Sequence, residues 1–187
     1  MELNKYSMLS SERADGSNKF NENKFVFNHP FTHDECFNRL VKEAEKYNNK
    51  IVVAFDFDHT IFNFRVYGET FKDIKTQYAL DAMFPEKKDL EKTAYMCIVD
   101  LLKAAKELGM VLVLFTAEKD EEHLNVKKHY CKRIGIEYDY VNESPIMNGT
   151  TKPYFNILLD DRAGLEESFN ILSRLVTKLS DMAQINK

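Results

Sequence analysis

The chain has 187 residues, 44% hydrophobic and 30% charged, which is enough for one packed domain and too apolar for a disordered tail. A net charge of −4 and an isoelectric point near 5.8 argue against a protein held to nucleic acid by its overall field. No apolar run approaches the roughly 18 residues of a membrane span. The polar opening has no secretory core, and Cys36, Cys97 and Cys131 are too far apart for a zinc site or a disulfide framework, so a cytoplasmic protein with no membrane partner is expected.

Residues 1–24 are rich in Ser, Asn, Lys and Glu without a period, and read as a loose extension before a core domain over 25–187. Thr32 with Glu35 forms a capping box, and Phe37, Leu40, Val41, Ala44 and Tyr47 then share one helical face that stops at Asn48-Asn49. The run Ile51–Phe55 inside KIVVAFDFD reads as a strand buried on both faces. A helix over about 93–108, closed by Gly109, leads into a second buried strand over 110–115. Helix follows over 120–134, ended by Gly135, then strands over 136–141 and 155–159 and a final helix over about 164–182.

Strands alternating with helices imply right-handed crossovers and a parallel sheet, so the expected fold is α/β, a three-layer α/β/α Rossmann-like sandwich with a minimal central sheet. Ligands in such sheets bind at the carboxyl ends of the strands. Asp56, Asp58 and Thr60 follow the first strand, Thr116 ends the second, and Asp160 and Asp161 end the fourth, with Lys152 just before it. A single Asp at a strand end is an ordinary turn residue. Four carboxylates converging on one edge repel one another unless a cation sits among them, and an all-oxygen set suits Mg²⁺.

The string FDFDHTI (55–61) resembles the first motif of the haloacid dehalogenase superfamily, a hydrophobic strand followed by DxDx and Thr or Val. LFTA (114–117) is similar to its second motif, Lys152 in TTKPYFNILLDDRAG to the third, and ILLDDR (157–162) to the fourth. The four occur in order over about 110 residues. His59 departs from the pattern, since many members have Gly there. The resemblance implies a Mg²⁺-dependent phosphatase acting on a small phosphorylated molecule, nucleotides among them. Asp56 would be the nucleophile, and Asp58 the general acid and then base. Mg²⁺ would lie between Asp56, the main-chain carbonyl of Asp58 and one carboxylate of the pair, with Asp161 as direct ligand and Asp160 in support. Thr116 and Lys152 would hold the phosphoryl oxygens.

The stretch 61–92 stands where family members insert caps, and its length suits a flap with one or two small helices. Phe64, Arg65, Tyr67 and Phe71 either close over a substrate or pack the insert. The short loop NESPIMNGT (142–150) is expected over the site. The basic run KKHYCKR (127–133) reads as a solvated helix face, with Lys127, Lys128 or both in water. His29, His33, His123 and His129 read as exposed residues without carboxylate partners. Arg162 either orients Asp161 or pairs with a surface acid. Two other readings compete. A phospho-accepting or catalytically silent binding domain is disfavoured by the presence of both Asp56 and Asp58. A phosphatase of nucleic-acid ends is disfavoured by the absence of a basic stripe.

Overall fold

The computed structural model describes residues 33–143 and 153–185. The extension expected over 1–24, Thr32 of the capping box, His29, most of the 142–150 loop and Lys152 lie outside the described residues.

Helix α1 (His33–Lys46) turns Leu40 and Ala44 into the core, with Phe37 and Val41 partly buried beside them. Tyr47 does not continue that face. The helix has ended, Asn48 and Asn49 take left-handed φ of 52° and 62°, and the chain reverses with Tyr47 exposed. Strand β1 (Val52–Phe55) follows and is buried throughout.

The insert after β1 holds three short helices rather than one or two: α2 (Phe64–Lys72), α3 (Gln77–Met83) and α4 (Lys87–Glu91). They do not form a loose flap. Phe71 packs its ring 4.5 Å from Phe62 and 5.5 Å from Phe57, and Phe64 packs edge-on to Phe62 at 4.9 Å. Phe64, Tyr67 and Phe71 are therefore packing residues of the insert, while Arg65 is exposed.

Helix α5 (Met96–Glu107) and strand β2 (Val111–Leu114) come next, joined at Gly109 with φ of 89°. Helix α6 (Glu121–Ile134) starts on Asp120, whose carboxylate accepts the His123 N–H, and ends on Gly135 at φ 92°. Strand β3 is only Tyr140–Val141, shorter than the expected 136–141. Ile136 still closes α6 through its N–H to Cys131, and the Asp139 carboxylate takes the Leu112 N–H at 2.8 Å where a strand would have paired. Strand β4 (Ile157–Leu159) and helix α7 (Leu165–Ile185) complete the chain.

The four strands are all parallel in the order β3-β2-β1-β4. The crossovers through α5 and α6 run in one direction, and the return from β3 to β4 runs in the other. The helices gather on the face of Val53, Phe55, Leu112, Leu114, Ile157 and Leu159. Val52, Ala54 and Val113 form a separate buried cluster on the other face, joined by Val111, Phe115, Phe155 and Leu158. No helix residue joins this second cluster among the described residues, so the expected third layer is not found there. The fold is an α/β fold with a small parallel sheet. No described helix is long and apolar enough to cross a membrane.

Phe71 joins the insert to the core, so Phe71→Ala should lower the stability of the whole domain by about 3 kcal/mol in a single urea transition. A loss under about 1 kcal/mol, or a separate early transition for the insert, would mean that the insert is only loosely attached.

Candidate active site

The carboxyl edge of the sheet is assembled by register. Phe55 pairs with Leu114 on one side and Leu159 on the other, so Asp56 stands one residue beyond both pairs. Its N–H continues the ladder to the Leu159 carbonyl at 2.9 Å. The same step brings Asp160 to the position beside Asp56, and in-register residues of parallel strands share a face. Asp161 follows in the turn after β4. Its carboxylate is exposed and its N–H donates to the buried Thr60 hydroxyl at 3.1 Å, tying the end of β4 to the loop after β1. Asp160, not Asp161, is the member of the pair placed beside Asp56. Its Oδ1 accepts the Arg162 N–H at 2.8 Å, while the Arg162 side chain is exposed.

The loop after β1 is a compact turn. The N–H groups of Ile61 and Phe62 both reach the Phe57 carbonyl at 3.0 Å, and the His59 N–H reaches Phe62. His59 adopts φ of 59°, a left-handed conformation that Gly takes without strain. The residue that departs from the resembled pattern therefore keeps the backbone shape that a glycine would favour. The turn presents Asp58 to the middle of the edge and buries Phe57 beneath it.

Lys127 is the residue that sequence reasoning misplaced. It lies on α6 with its side chain only 5% exposed, not on a solvated face. Its Nζ is 3.0 Å from both carboxylate oxygens of Asp58 and 3.3 Å from Glu118 Oε2, and it stands 5.5 Å from the Phe57 ring centre. Only the contact to Asp58 Oδ2 has hydrogen-bonding geometry, so Oδ1, which is shut from solvent, is held by charge alone. Asp58 as a whole keeps a 45% exposed side chain. The missed signal was the stripe itself: Lys127, Tyr130, Cys131 and Ile134 fall at helical spacing, and all four are buried. Glu118 was also missed. Its carboxylate accepts the N–H groups of Lys119 and Asp120 at 3.0 Å, a local turn that aims it at Lys127.

Thr116 is buried just past β2, where its N–H donates to Asn142 Oδ1 at 2.8 Å and its Oγ1 accepts the Glu118 N–H at 3.4 Å. Of the predicted site residues, Asp56, Asp58, Thr116 and Asp160 thus stand at one edge, Asp161 is exposed in the turn that follows β4, and Lys152 lies outside the described residues. Two histidines also differ from expectation. His129 Nε2 meets Asp81 at 2.8 Å, and His123 lies between Lys75 and Glu118. Their carboxylate partners come from other elements, which spacing along one helix does not reveal.

The Asp56 carboxyl is pushed up to about 6, first by burial and then by the charges of Asp58 and Asp160; the Phe57 N–H and Lys127 oppose this without cancelling it. Burial pushes the Glu118 carboxyl up as well, but the Asp120 N–H and Lys127 outweigh it and hold the group below the usual range. Among the described residues no three His, Cys, Asp or Glu side chains are grouped to hold a metal ion. Mg²⁺ commonly takes one or two carboxylates and keeps its waters. Asp56 and Asp160, two neighbouring carboxylates at a half-buried edge, form a donor set of that kind.

The chain matches no family model, no curated protein and no solved structure. The functional reading therefore rests on the geometry of this edge and on the ordered motifs.

Because its folded-state value lies above the roughly 4 of an unfolded chain, Asp56 binds its proton more tightly when folded. Its ionisation then costs stability as pH rises from about 4 to about 6. Without divalent cations, Asp56→Asn should stabilise the protein at pH 7.5 by about 1 kcal/mol, after discounting for partial exposure. The gain should fade toward pH 4 in urea unfolding. A variant less stable than the parent at pH 7.5 would contradict the crowding of carboxylates at this edge.

Proposed function

We propose that the chain is a Mg²⁺-dependent phosphatase of the haloacid dehalogenase type, acting on a small phosphorylated molecule through an aspartyl-phosphate on Asp56. The observation that carries this reading is the buried Lys127 ammonium at an edge where Asp56, Asp58, Thr116 and Asp160 close three neighbouring strands. A structural ion pair would account for Lys127 and Asp58 alone. It would not account for the half-buried, like-charged Asp56 and Asp160 beside them, an arrangement that costs stability and is typical of sites that bind cations or run chemistry.

A phosphate monoester is close to a dianion at neutral pH, so the attack of a carboxylate must be accompanied by charge neutralisation and held in line. Mg²⁺, held by the carboxylates of Asp56 and Asp160 with the Asp58 main-chain carbonyl, would supply part of that positive charge. Lys127 takes the third-motif role in place of Lys152, and with the Thr116 hydroxyl it binds phosphoryl oxygens. The phosphoryl group competes with Asp58 for the same ammonium. As it does so, Asp58 gives up its contact with Lys127 and is free to serve as the proton carrier for the leaving group. An Asp56 oxygen then bonds to phosphorus, the bond to the leaving oxygen breaks, and Asp58 protonates that oxygen. In the second half Asp58 takes a proton from water, the water oxygen bonds to phosphorus, and Asp56 is released with inorganic phosphate. Glu118 is a positioning residue, since it touches Lys127 and not the reacting atoms.

Hydrolysis of an aryl phosphate should require Mg²⁺ and disappear in Asp56→Asn. Retention of more than about a tenth of the rate, a barrier change under ~1.4 kcal/mol, would overturn the assignment of the nucleophile. Lys127→Met, which keeps the packing of the stem, should lower kcat/KM about 10²-fold or more, some 2.7 kcal/mol. Lys128→Ala should stay within about threefold of the parent. A larger loss in Lys152→Ala than in Lys127→Met would return the third motif to the loop before β4.

A further inference from the structure

A second feature of the molecule lies away from this edge and is independent of the phosphatase reading. Across the amino ends of the strands runs an open groove of about 1020 Å³. One wall is the end of α1 and the turn after it, which contribute Arg39, Lys42, Lys46 and Lys50. Three tyrosines line it as well: Tyr47, Tyr140 and Tyr154, which are 53%, 37% and 36% exposed. The carboxylate among the described lining residues, Glu43, is engaged: it lies 3.9 Å from Arg39 and accepts from Asn156 Nδ2. Lys42, Lys46 and Lys50 face no carboxylate within ion-pair distance among the described residues, and Lys46 lies 4.8 Å from the Tyr47 ring centre.

The shape decides what kind of ligand such a groove suits. A small-molecule pocket encloses most of its ligand in about 300–1,000 Å³. This groove is as large as that upper limit and leaves its three tyrosines partly exposed, so it suits a segment of chain passing through rather than a molecule enclosed. The charge decides the sign. Arg39, Lys42 and Lys46 recur at helical spacing along about 10 Å of α1, the distance spanned by some three phosphates of a stacked strand at about 3.4 Å each. The partly exposed tyrosines decide the rest. A polyphosphate or an acidic peptide makes no use of them, whereas unpaired bases stack on such rings without regard to sequence. The net charge of −4 does not oppose this, because the four cations lie within twelve residues of one another while acids dominate elsewhere. The expectation of no basic stripe is corrected here, because the pitch of α1 brings Arg39, Lys42 and Lys46 to one groove.

We infer that the groove formed by Arg39, Lys42, Lys46, Lys50 and the three tyrosines binds single-stranded nucleic acid. Ile51 borders the groove and Asp56 lies five residues further along the same strand, so the two sites are about 16 Å apart on opposite edges of the sheet.

The test is fluorescence anisotropy of the full chain with a labelled single-stranded 12-mer at low salt, with the matching duplex, heparin and poly-glutamate as competitors. Binding should weaken steeply as salt rises. It should fall at least tenfold in the Lys42→Glu/Lys46→Glu variant, with urea midpoint and aryl-phosphate hydrolysis unchanged. Tyr47→Ala should weaken binding severalfold while leaving the salt dependence as it was, because it removes stacking and no charge. The single strand should displace itself better than duplex or either base-free polyanion does. Absence of binding at 50 mM salt, equal competition by heparin or duplex, or preference for poly-glutamate would overturn the proposal. So would a Tyr47→Ala variant that binds like the parent. A phosphatase test that fails while this binding persists would remove the enzymatic reading and leave the groove.

Discussion

A lysine ammonium that is nearly closed from water must be surrounded by anions, because an isolated buried charge costs several kcal/mol. Lys127 meets that demand with Asp58 from the loop after β1 and Glu118 from the loop after β2. The pairing fastens α6 to two strand ends at once. On the proposed phosphatase reading, this ammonium would receive the phosphoryl group by exchanging its own partners without movement of the helix. Below it Phe57 packs edge-on against Tyr130, whose hydroxyl is in turn held by Thr93 and the Leu90 carbonyl, so the site rests on the insert as well as the sheet.

The sheet supplies the second constraint. Parallel register carries Asp56 and Asp160 to neighbouring positions on one face, whatever their mutual repulsion, because the hydrogen bonds of β1 and β4 set their height. Burial first, and then the charges of Asp58 and Asp160, raise the Asp56 carboxyl to about 6, so its ionisation costs stability. An edge of this kind is poorly explained by stability, and well explained by the binding of a divalent cation and a phosphorylated ligand. The same strands, followed to their amino ends, bring basic and aromatic groups together instead of acidic ones, so the two edges have opposite electrostatic character.

Much of the architecture was legible in the sequence because its cues are local. The apolar runs at 51–55 and 110–115, Gly109 and Gly135 past their helices, and the stripe of the last helix all act within a few residues of themselves. Helix α1 ended where Asn48 and Asn49 suggested. Legibility failed where a partner distant in sequence decides the outcome. Asp139 replaces strand pairing by capping Leu112, which shortens β3. Asp160 and Asp161 cannot be told apart without the register of β1 against β4. Lys127 looked solvated because a basic run usually is, and only its place on the stripe with Tyr130 and Ile134 pointed inward. The carboxylates Asp58 and Glu118 that make its burial tolerable lie 69 and 9 residues away along the chain.

The claim on which the account turns is that Asp56 accepts the phosphoryl group. It is tested most directly by acid-quenching the protein during turnover of a ³²P-labelled aryl phosphate with Mg²⁺, reducing the acyl-phosphate with borohydride, and sequencing the modified peptide by mass spectrometry. The account predicts label that is released by hydroxylamine and a single reduced residue at position 56. Hydrolysis that proceeds with no trapped label, or with the label on another side chain, would contradict it.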